Sequence, residues 1–347
     1  MFDKVPKDSD FYHNLTFHKR AQQPYSLITG GRGVGKTYQV KKEAFACAAS
    51  GGEFLYIRRT DKEIDGRAFS DWCDDLSQLS GKNITLQLNG HELILKENGE
   101  NPRRFGWAYA LTQSNQARGY NYQKVKFALF DEFLPELTKY RRFYAGEITD
   151  LRSLVSTFFR HRKGAKIYML SNLTSAINPY YNSFRIINPV WPGVTKTKEA
   201  ILEIIPPLPI NEYYARNVNY IKNTYDEDYR NYLEGKALLE NRQKLEGGKI
   251  PRNARYMGRI DYLNQSLGFF LDPQGRAIYL GRGDPSDKRV FVLDNSDIKA
   301  NTFLIKRSSD SYLFKLLSEY YRCGKVISKS PERELLFCEI ADRLHFY

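Results

Sequence analysis

Residues 30–37 read Gly30-Gly31-Arg32-Gly33-Val34-Gly35-Lys36-Thr37. They fit the Walker A pattern, in which two glycines five positions apart are followed by lysine and a hydroxyl residue. The glycines let the backbone turn tightly and aim successive N–H groups at phosphate oxygens, while the helix that follows adds the positive end of its dipole. The expected cofactor-binding set is the motif's Gly30, Gly31, Arg32, Gly33, Val34, Gly35, Lys36 and Thr37, joined by Arg58 from the end of a later strand. Lys36 is expected to reach the β- and γ-phosphates of ATP, and the Thr37 hydroxyl to hold Mg²⁺.

Such a loop is meaningful only between a buried strand and a helix, and that context is present. Tyr25 to Thr29 is a short apolar run ending at the first glycine, and Tyr38 to Ala49 is rich in helix-favouring Gln, Lys, Glu and Ala until Ser50-Gly51-Gly52 stops it. Downstream, Val125 to Phe130 is a largely apolar strand that runs into Asp131-Glu132. This is the Walker B arrangement of the ATPase class with an additional catalytic glutamate. Asp131 is expected in the Mg²⁺ shell and Glu132 as the group that orients and polarises the attacking water. The two motifs in this order, about 95 residues apart, specify an α/β P-loop NTPase.

A chain of 347 residues can bury a sizeable core and is expected to form more than one domain. No run of 18 apolar residues and no charged-then-apolar leader is visible, so neither membrane insertion nor secretion is expected. The four cysteines never form Cys-x-x-Cys and only five histidines accompany them, which argues against a zinc site or a disulfide framework and suits a reducing cytoplasm. The net charge of +13 fits a polyanionic partner. The excess lies in residues 1–191 and 249–347, on either side of a near-neutral middle.

Between the motifs, Glu53 to Arg59 reads as a buried strand emerging into Arg58 and Arg59, which face phosphate, a neighbouring subunit or solvent. Ile84 to Glu97 alternates around Asn89-Gly90 and reads as a hairpin, and Gly106 to Leu111 as another strand. Ala165 to Leu170 is a further core strand ending in Ser171-Asn172, where Asn172 is a candidate γ-phosphate sensor or a turn former. Arg118, in a polar loop, and Arg160, at the end of a helix beginning near Ile148, are candidate arginine fingers or solvated surface residues.

Prolines at 192, 206, 207 and 209 mark a change of texture. The expected division is an ATPase domain over 1–200, a helical linker or lid over 201–248 and an α+β domain over 249–347. Strands are expected in the last near Arg255–Tyr262, Leu267–Leu271, Ala277–Leu280 and Val290–Leu293, with a helix over Ser311–Tyr321.

From Leu27 to about Tyr181 the chain resembles the DNA-packaging ATPases of small tailed bacteriophages in the phi29 group. The resemblance rests on the Walker A octapeptide, Leu55-Tyr56-Ile57-Arg58-Arg59, Phe130-Asp131-Glu132-Phe133, Phe159-Arg160-His161-Arg162, and Leu170-Ser171-Asn172 with Asn178-Pro179-Tyr180 after it. It implies a motor at the portal vertex of the prohead, in the host cytoplasm, that translocates double-stranded DNA as a pentameric ring. It further implies an arginine supplied in trans, with Arg160 first and Arg118 second, and a structural packaging RNA as partner. The family's C-terminal domain resembles an RNase H-like nuclease that has lost its chemistry. Asp261 and Asp272 do not assemble a convincing two-metal set, so no nuclease activity is expected. The competing reading is a helicase or recombination ATPase acting on single-stranded DNA, which would share the Walker pair and the basic charge.

Overall fold

The computed structural model describes residues 14–31, 34–64, 69–98, 100–135, 143–144, 146–160, 162, 164–172, 178–186, 189, 192–205, 245, 247–263, 265–344 and 346. Arg32, Gly33 and nearly all of the linker expected over 201–248 lie outside the described residues. The chain divides into two compact units. One holds Met1–Arg142, Glu147–Thr174 and Pro189–Leu238, the other Phe143–Gly146, Ser175–Asn188 and Leu239–Tyr347. Among the described residues no helix is long and apolar enough to cross a membrane.

The first unit contains α1 (Thr16–Arg20), β1 (Tyr25–Gly30), α2 (Lys36–Ala49), β2 (Glu53–Arg58), α3 (Ser70–Ser80), β3 (Ile84–Asn89), β4 (Glu92–Glu97), β5 (Arg103–Ala110), β6 (Val125–Asp131), α4 (Glu147–Phe159), β7 (Lys166–Asn172), β8 (Gly193–Lys196) and β9 (Ala200–Ile204). Its nine-stranded sheet runs β3-β4-β5-β2-β6-β7-β1-β9-β8. The six strands from β5 to β9 pair in parallel, and the β3–β4 hairpin and β8 add antiparallel edges. The parallel strands are covered on both faces, so β1 and β2 read as nearly unbroken apolar runs rather than alternating ones. β7 is inserted between the two motif-bearing strands, β1 and β6, as the additional-glutamate class of P-loop NTPases requires.

On one face, α2 presents Val40, Ala44 and Ala48 at four-residue spacing, and α3 presents Trp72 and Leu76. Trp72 stacks on Phe54 at 5.4 Å, and Phe105 meets Phe54 edge-on at 5.0 Å. On the other face Phe158 of α4 stacks on Tyr122 at 3.7 Å and lies edge-on to Tyr109 at 5.5 Å. β9 continues the ATPase sheet through Ile204, four residues past the expected boundary at 200, because its apolar run completes the parallel pairing beside β1. The helix placed near Ile148 is α4, and it ends at Phe159, so Arg160 stands just outside it.

The second unit holds α5 (Pro179–Ser183), β10 (Arg255–Tyr262), β11 (Gln265–Leu271), β12 (Ile278–Gly281), β13 (Val290–Val292), β14 (Thr302–Leu304), α6 (Tyr312–Arg322), β15 (Val326–Ile327) and α7 (Pro331–Leu344). α5, which carries the Asn178-Pro179-Tyr180 segment, groups with this unit rather than with the ATPase sheet. The six-stranded sheet is ordered β14-β13-β10-β11-β12-β15. β10, β11 and β12 form an antiparallel meander, and β13 and β14 add in parallel beside β10, the pattern expected of an RNase H-like sheet. Ile260, Leu267, Phe269 and Ile278 pack against Phe314, Leu317, Phe337 and Ile340 of α6 and α7 to form the core of this unit.

Candidate functional site

The carboxyl ends of β1, β6 and β7 open onto a cavity of about 400 Å³ lined by Val34, Gly35, Lys36, Thr37, Tyr38, Asp131, Glu132, Leu170, Ser171 and Asn172. The parallel pairing of β1 with β7 and of β7 with β6 places these groups together, although the sequence separates them widely. Gly35 sits at φ 78°, in the left-handed region that glycine tolerates, and caps α2 without a side-chain hydrogen bond. Lys36 is 8 % exposed, and its Nζ donates to the carbonyls of Gly31 at 2.7 Å and Gly30 at 3.2 Å and to Asn172 Oδ1 at 3.4 Å. Asn172 is therefore held at the mouth of the glycine loop.

The first turn of α2 contains no acidic residue. Its N–H groups and the Lys36 ammonium make a positive cradle that fits phosphate. The Thr37 hydroxyl and the Asp131 carboxylate are hard oxygen donors that fit Mg²⁺.

Asp131 is the last residue of β6, and burial pushes its carboxyl up while nearby Arg58 opposes the rise. Glu132 adopts φ 56° and its side chain is half exposed. A left-handed conformation at a non-glycine residue is costly and must be held by its surroundings. Arg59 supplies part of that hold. Its Nη2 donates to Phe133 O at 2.5 Å and its Nη1 to Glu132 O at 3.4 Å, while its Nε bonds Glu147 at 3.0 Å. Phe133 N also donates to Leu170 O at 3.1 Å, tying the turn to β7.

The sequence left Arg58 and Arg59 facing phosphate, a neighbour or solvent, and the structure places the two differently from one another. Successive side chains at a strand end point to opposite faces, so the two must diverge. Arg59 turns inward and is buried as the clamp on the Glu132–Phe133 turn. Arg58 lies over the carboxylate pair, 2.7 Å from Glu132 and 3.7 Å from Asp131, and it does not line the cavity. Sequence reasoning missed Arg59 and its partner Glu147 as positioning residues. The adjacency of the two arginines at a strand end was the available signal.

Arg160 lies elsewhere. It follows α4 at φ 48° and is exposed. It lines a second cavity of about 640 Å³ bordered by Pro24 and Tyr25, by Lys166 and Ile167, and by the basic residues Arg152 and Arg162. Arg162 Nη1 donates to Val125 O at 2.7 Å and Gln123 O at 2.8 Å, which fixes this segment at the entry end of β6. Six residue steps of β6 separate that end from Asp131, roughly 20 Å at about 3.3 Å per step. Burial depresses both the Arg162 and the Lys166 side chains. Arg118 is exposed beside Gly119, which has φ 98°, and it lines neither cavity.

In the second unit Asp261 pairs with Arg259 at 3.2 Å and Asp272 with Arg276 at 3.2 Å. Among the described residues no group of three or more His, Cys, Asp or Glu side chains is placed to hold a metal.

Residues 7–332 match the family described as Podovirus DNA encapsidation protein (Gp16). The DNA packaging protein of Bacillus phage phi29 is 26% identical over 327 residues, with 91% of this chain and 93% of the relative covered. That of Bacillus phage B103 is 25% identical over 307 residues, covering 87% and 91%. Among solved structures, the bacteriophage Phi-29 viral genome packaging motor assembly aligns with a TM-score of 0.66 at 21% identity over 97% of this chain and 99% of that one. The Phi-28 gp11 DNA packaging motor aligns at 0.56 and 19%, over 96% and 98%. Both likenesses extend through the two units and speak for the fold.

Proposed function

Because the chain belongs to the Podovirus DNA encapsidation protein (Gp16) family, we propose that it is the ATP-hydrolysing motor that drives double-stranded viral DNA into a preformed prohead. The observation that carries this reading is the single cavity in which Lys36, Thr37, Asp131, Glu132 and Asn172 converge at the ends of β1, β6 and β7. In this reading Gly30 through Thr37 cradle the phosphates of ATP, with Thr37 and Asp131 as the Mg²⁺ ligands. When bound, the ion would neutralise charge on the transferred phosphoryl group. Glu132 orients the attacking water and accepts its proton, for which it must exchange the Arg58 guanidinium it holds in this structure. Asn172, already within reach of Lys36, senses the terminal phosphate.

The motor works as a homo-oligomeric ring, a pentamer by family likeness, with the portal, duplex DNA and a structural packaging RNA as partners. It acts in the host cytoplasm at the portal vertex. Arg160 is the first candidate for the arginine acting in trans. It lies roughly 20 Å from its own Asp131 along β6, so the phosphate it would reach belongs to another copy. Arg118 is the second candidate. In this reading the ATPase unit runs through β9 at Ile204, the linker follows up to residue 248 and the nucleic-acid-binding unit spans 249–347. Nuclease activity is not expected of the last, because the Asp261 and Asp272 carboxylates are each engaged by an arginine.

The test is the ATPase rate of the purified protein with long duplex DNA, with single-stranded DNA and without DNA, using Glu132→Gln as control. Preferential stimulation by duplex, abolished in Glu132→Gln, is the expected outcome. Preferential stimulation by single strands would overturn the translocase reading in favour of a helicase.

A further inference from the structure

The cavity of about 640 Å³ at the amino ends of β1 and β7 is larger than the one of about 400 Å³ at their carboxyl ends, and it lies wholly within the first unit. Arg152, Val155 and Phe159, spaced to share one stripe of α4, form one wall, and Tyr25 of β1 and Ile167 of β7 form another. Five cations line it, Lys19, Arg152, Arg160, Arg162 and Lys166, and among the described residues no carboxylate does.

The five cations are not equally committed. Lys19 pairs with Glu43, and Arg152 with Glu199 at 3.1 Å. Both pairs are open to solvent, where an ion pair contributes little and is readily exchanged. Arg162 donates to the carbonyls of Gln123, Val125 and Phe158, and Lys166 to those of Ala21 and Gln23. These bonds fix where the two cations stand without neutralising them, since among the described residues neither meets a carboxylate. The Arg160 guanidinium has no ion pair and no hydrogen bond among the described residues. Its charge adds to burial in lowering the pKa of Arg162. Cations held this close without an acid are relieved when an anion enters.

The cavity at Lys36 offers carboxylate and hydroxyl oxygens to a metal ion, whereas this one meets an anion with nitrogen donors alone. Linked phosphates carry enough charge to engage several of these donors, and guanidinium groups fit their oxygens in pairs. Val155 and Phe159 leave an apolar wall beside the cations, which an inorganic anion would not use and a flat base would. We propose that this cavity is a second nucleotide site, which takes a nucleoside diphosphate without a metal ion, its phosphates on Lys19, Arg152 and Arg160 and its base against Val155 and Phe159. A ligand bound there would hold Arg160 away from a neighbouring copy and slow hydrolysis. That consequence alone rests on the reading of Arg160 as a residue acting in trans.

The experiment adds mant-ADP to full-length Lys36→Ala protein in EDTA, conditions that disable the first cavity, and follows the fluorescence. Saturable binding of one mant-ADP per chain is expected. In that background Arg152→Glu with Arg160→Glu should weaken binding about tenfold or more. Arg152→Lys with Arg160→Lys keeps the charge and should hold affinity within about threefold. Circular dichroism melts of each variant show whether it folds, and the lysine variant and the competitors decide the matter if the glutamate variant does not. Unlabelled ADP should displace the probe better than either inorganic pyrophosphate or adenosine. Displacement by pyrophosphate as good as by ADP would remove the base from the site, and displacement by adenosine as good as by ADP would remove the phosphates. Either result overturns the proposal, as does no saturable binding in EDTA or binding unchanged within about twofold in the glutamate variant. The readout is binding to a protein whose first cavity is disabled, so its failure is distinct from failure of the motor reading.

Discussion

Asp131 and Glu132 are neighbours in sequence, but their environments ask opposite things of them. Asp131 ends a buried strand and its carboxyl is pushed up, chiefly by burial, whereas Glu132 is half exposed and pairs with Arg58. A carboxyl that is harder to ionise in the folded protein than in the unfolded chain binds its proton more tightly when folded. Its contribution to stability is therefore fully present below the unfolded carboxylate range, about pH 4, and is lost as pH rises through the elevated folded value. Once ionised, Asp131 is consequently a burden on the fold. Asp131→Asn is expected to melt at or above the temperature of the unaltered protein while losing about 100-fold or more in ATPase rate, a trade of stability for function. Thermal melts from pH 4 to 8 check this, because the unaltered protein should lose stability relative to Asp131→Asn as pH rises. A variant that melts several degrees lower at pH 7.5 would show that the Asp131–Arg58 attraction outweighs burial.

At the scale of elements, β2 organises the centre of the sheet. It pairs with β5 on one side and β6 on the other and delivers Arg58 and Arg59 to the carboxylate turn. Its contact with β5 is close at Gly106, where an added Cβ would stand 2.5 Å from Phe54 O and 2.7 Å from the Phe54 ring. Neither the backbone oxygen nor a ring packed between Trp72 and Phe105 can yield cheaply. Gly106→Ala is expected to cost about 1–3 kcal/mol and to lower the melting temperature by roughly 3–10 °C, read by circular dichroism. No change in melting would mean that β5 shifts freely against β2. The hairpin over residues 84–97, the strand into Asp131 and the strand ending at Asn172 were all legible in the sequence, because each carries its own periodicity or turn. α3, β8, β9, α7 and the short strands β14 and β15 were not read. Their patterns are brief or mixed, and pairing with a strand distant in sequence decides their state.

At the scale of the whole molecule, the two ends of β6 carry different chemistry, with carboxylates at one and a basic cavity containing Arg160 at the other. If Arg160 completes a neighbour's site, mixing Arg160→Ala with Glu132→Gln subunits should restore ATPase activity above either alone. In an even mixture roughly a quarter of the interfaces pair an intact Glu132 with an intact Arg160. Recovery with Arg118→Ala in place of Arg160→Ala would move the role to Arg118, and recovery with neither would remove both. The sequence by itself determined the phosphate loop, the Asp131-Glu132 pair, the α/β class and the basic balance, because these are local patterns of glycine, charge and apolar period. The tertiary structure decided that β7 separates β1 from β6, that Arg59 is a buried clamp while Arg58 covers the carboxylates, and that α5 groups with the second unit. Those outcomes depend on which distant strands pair and which face each side chain meets, and no local pattern encodes them.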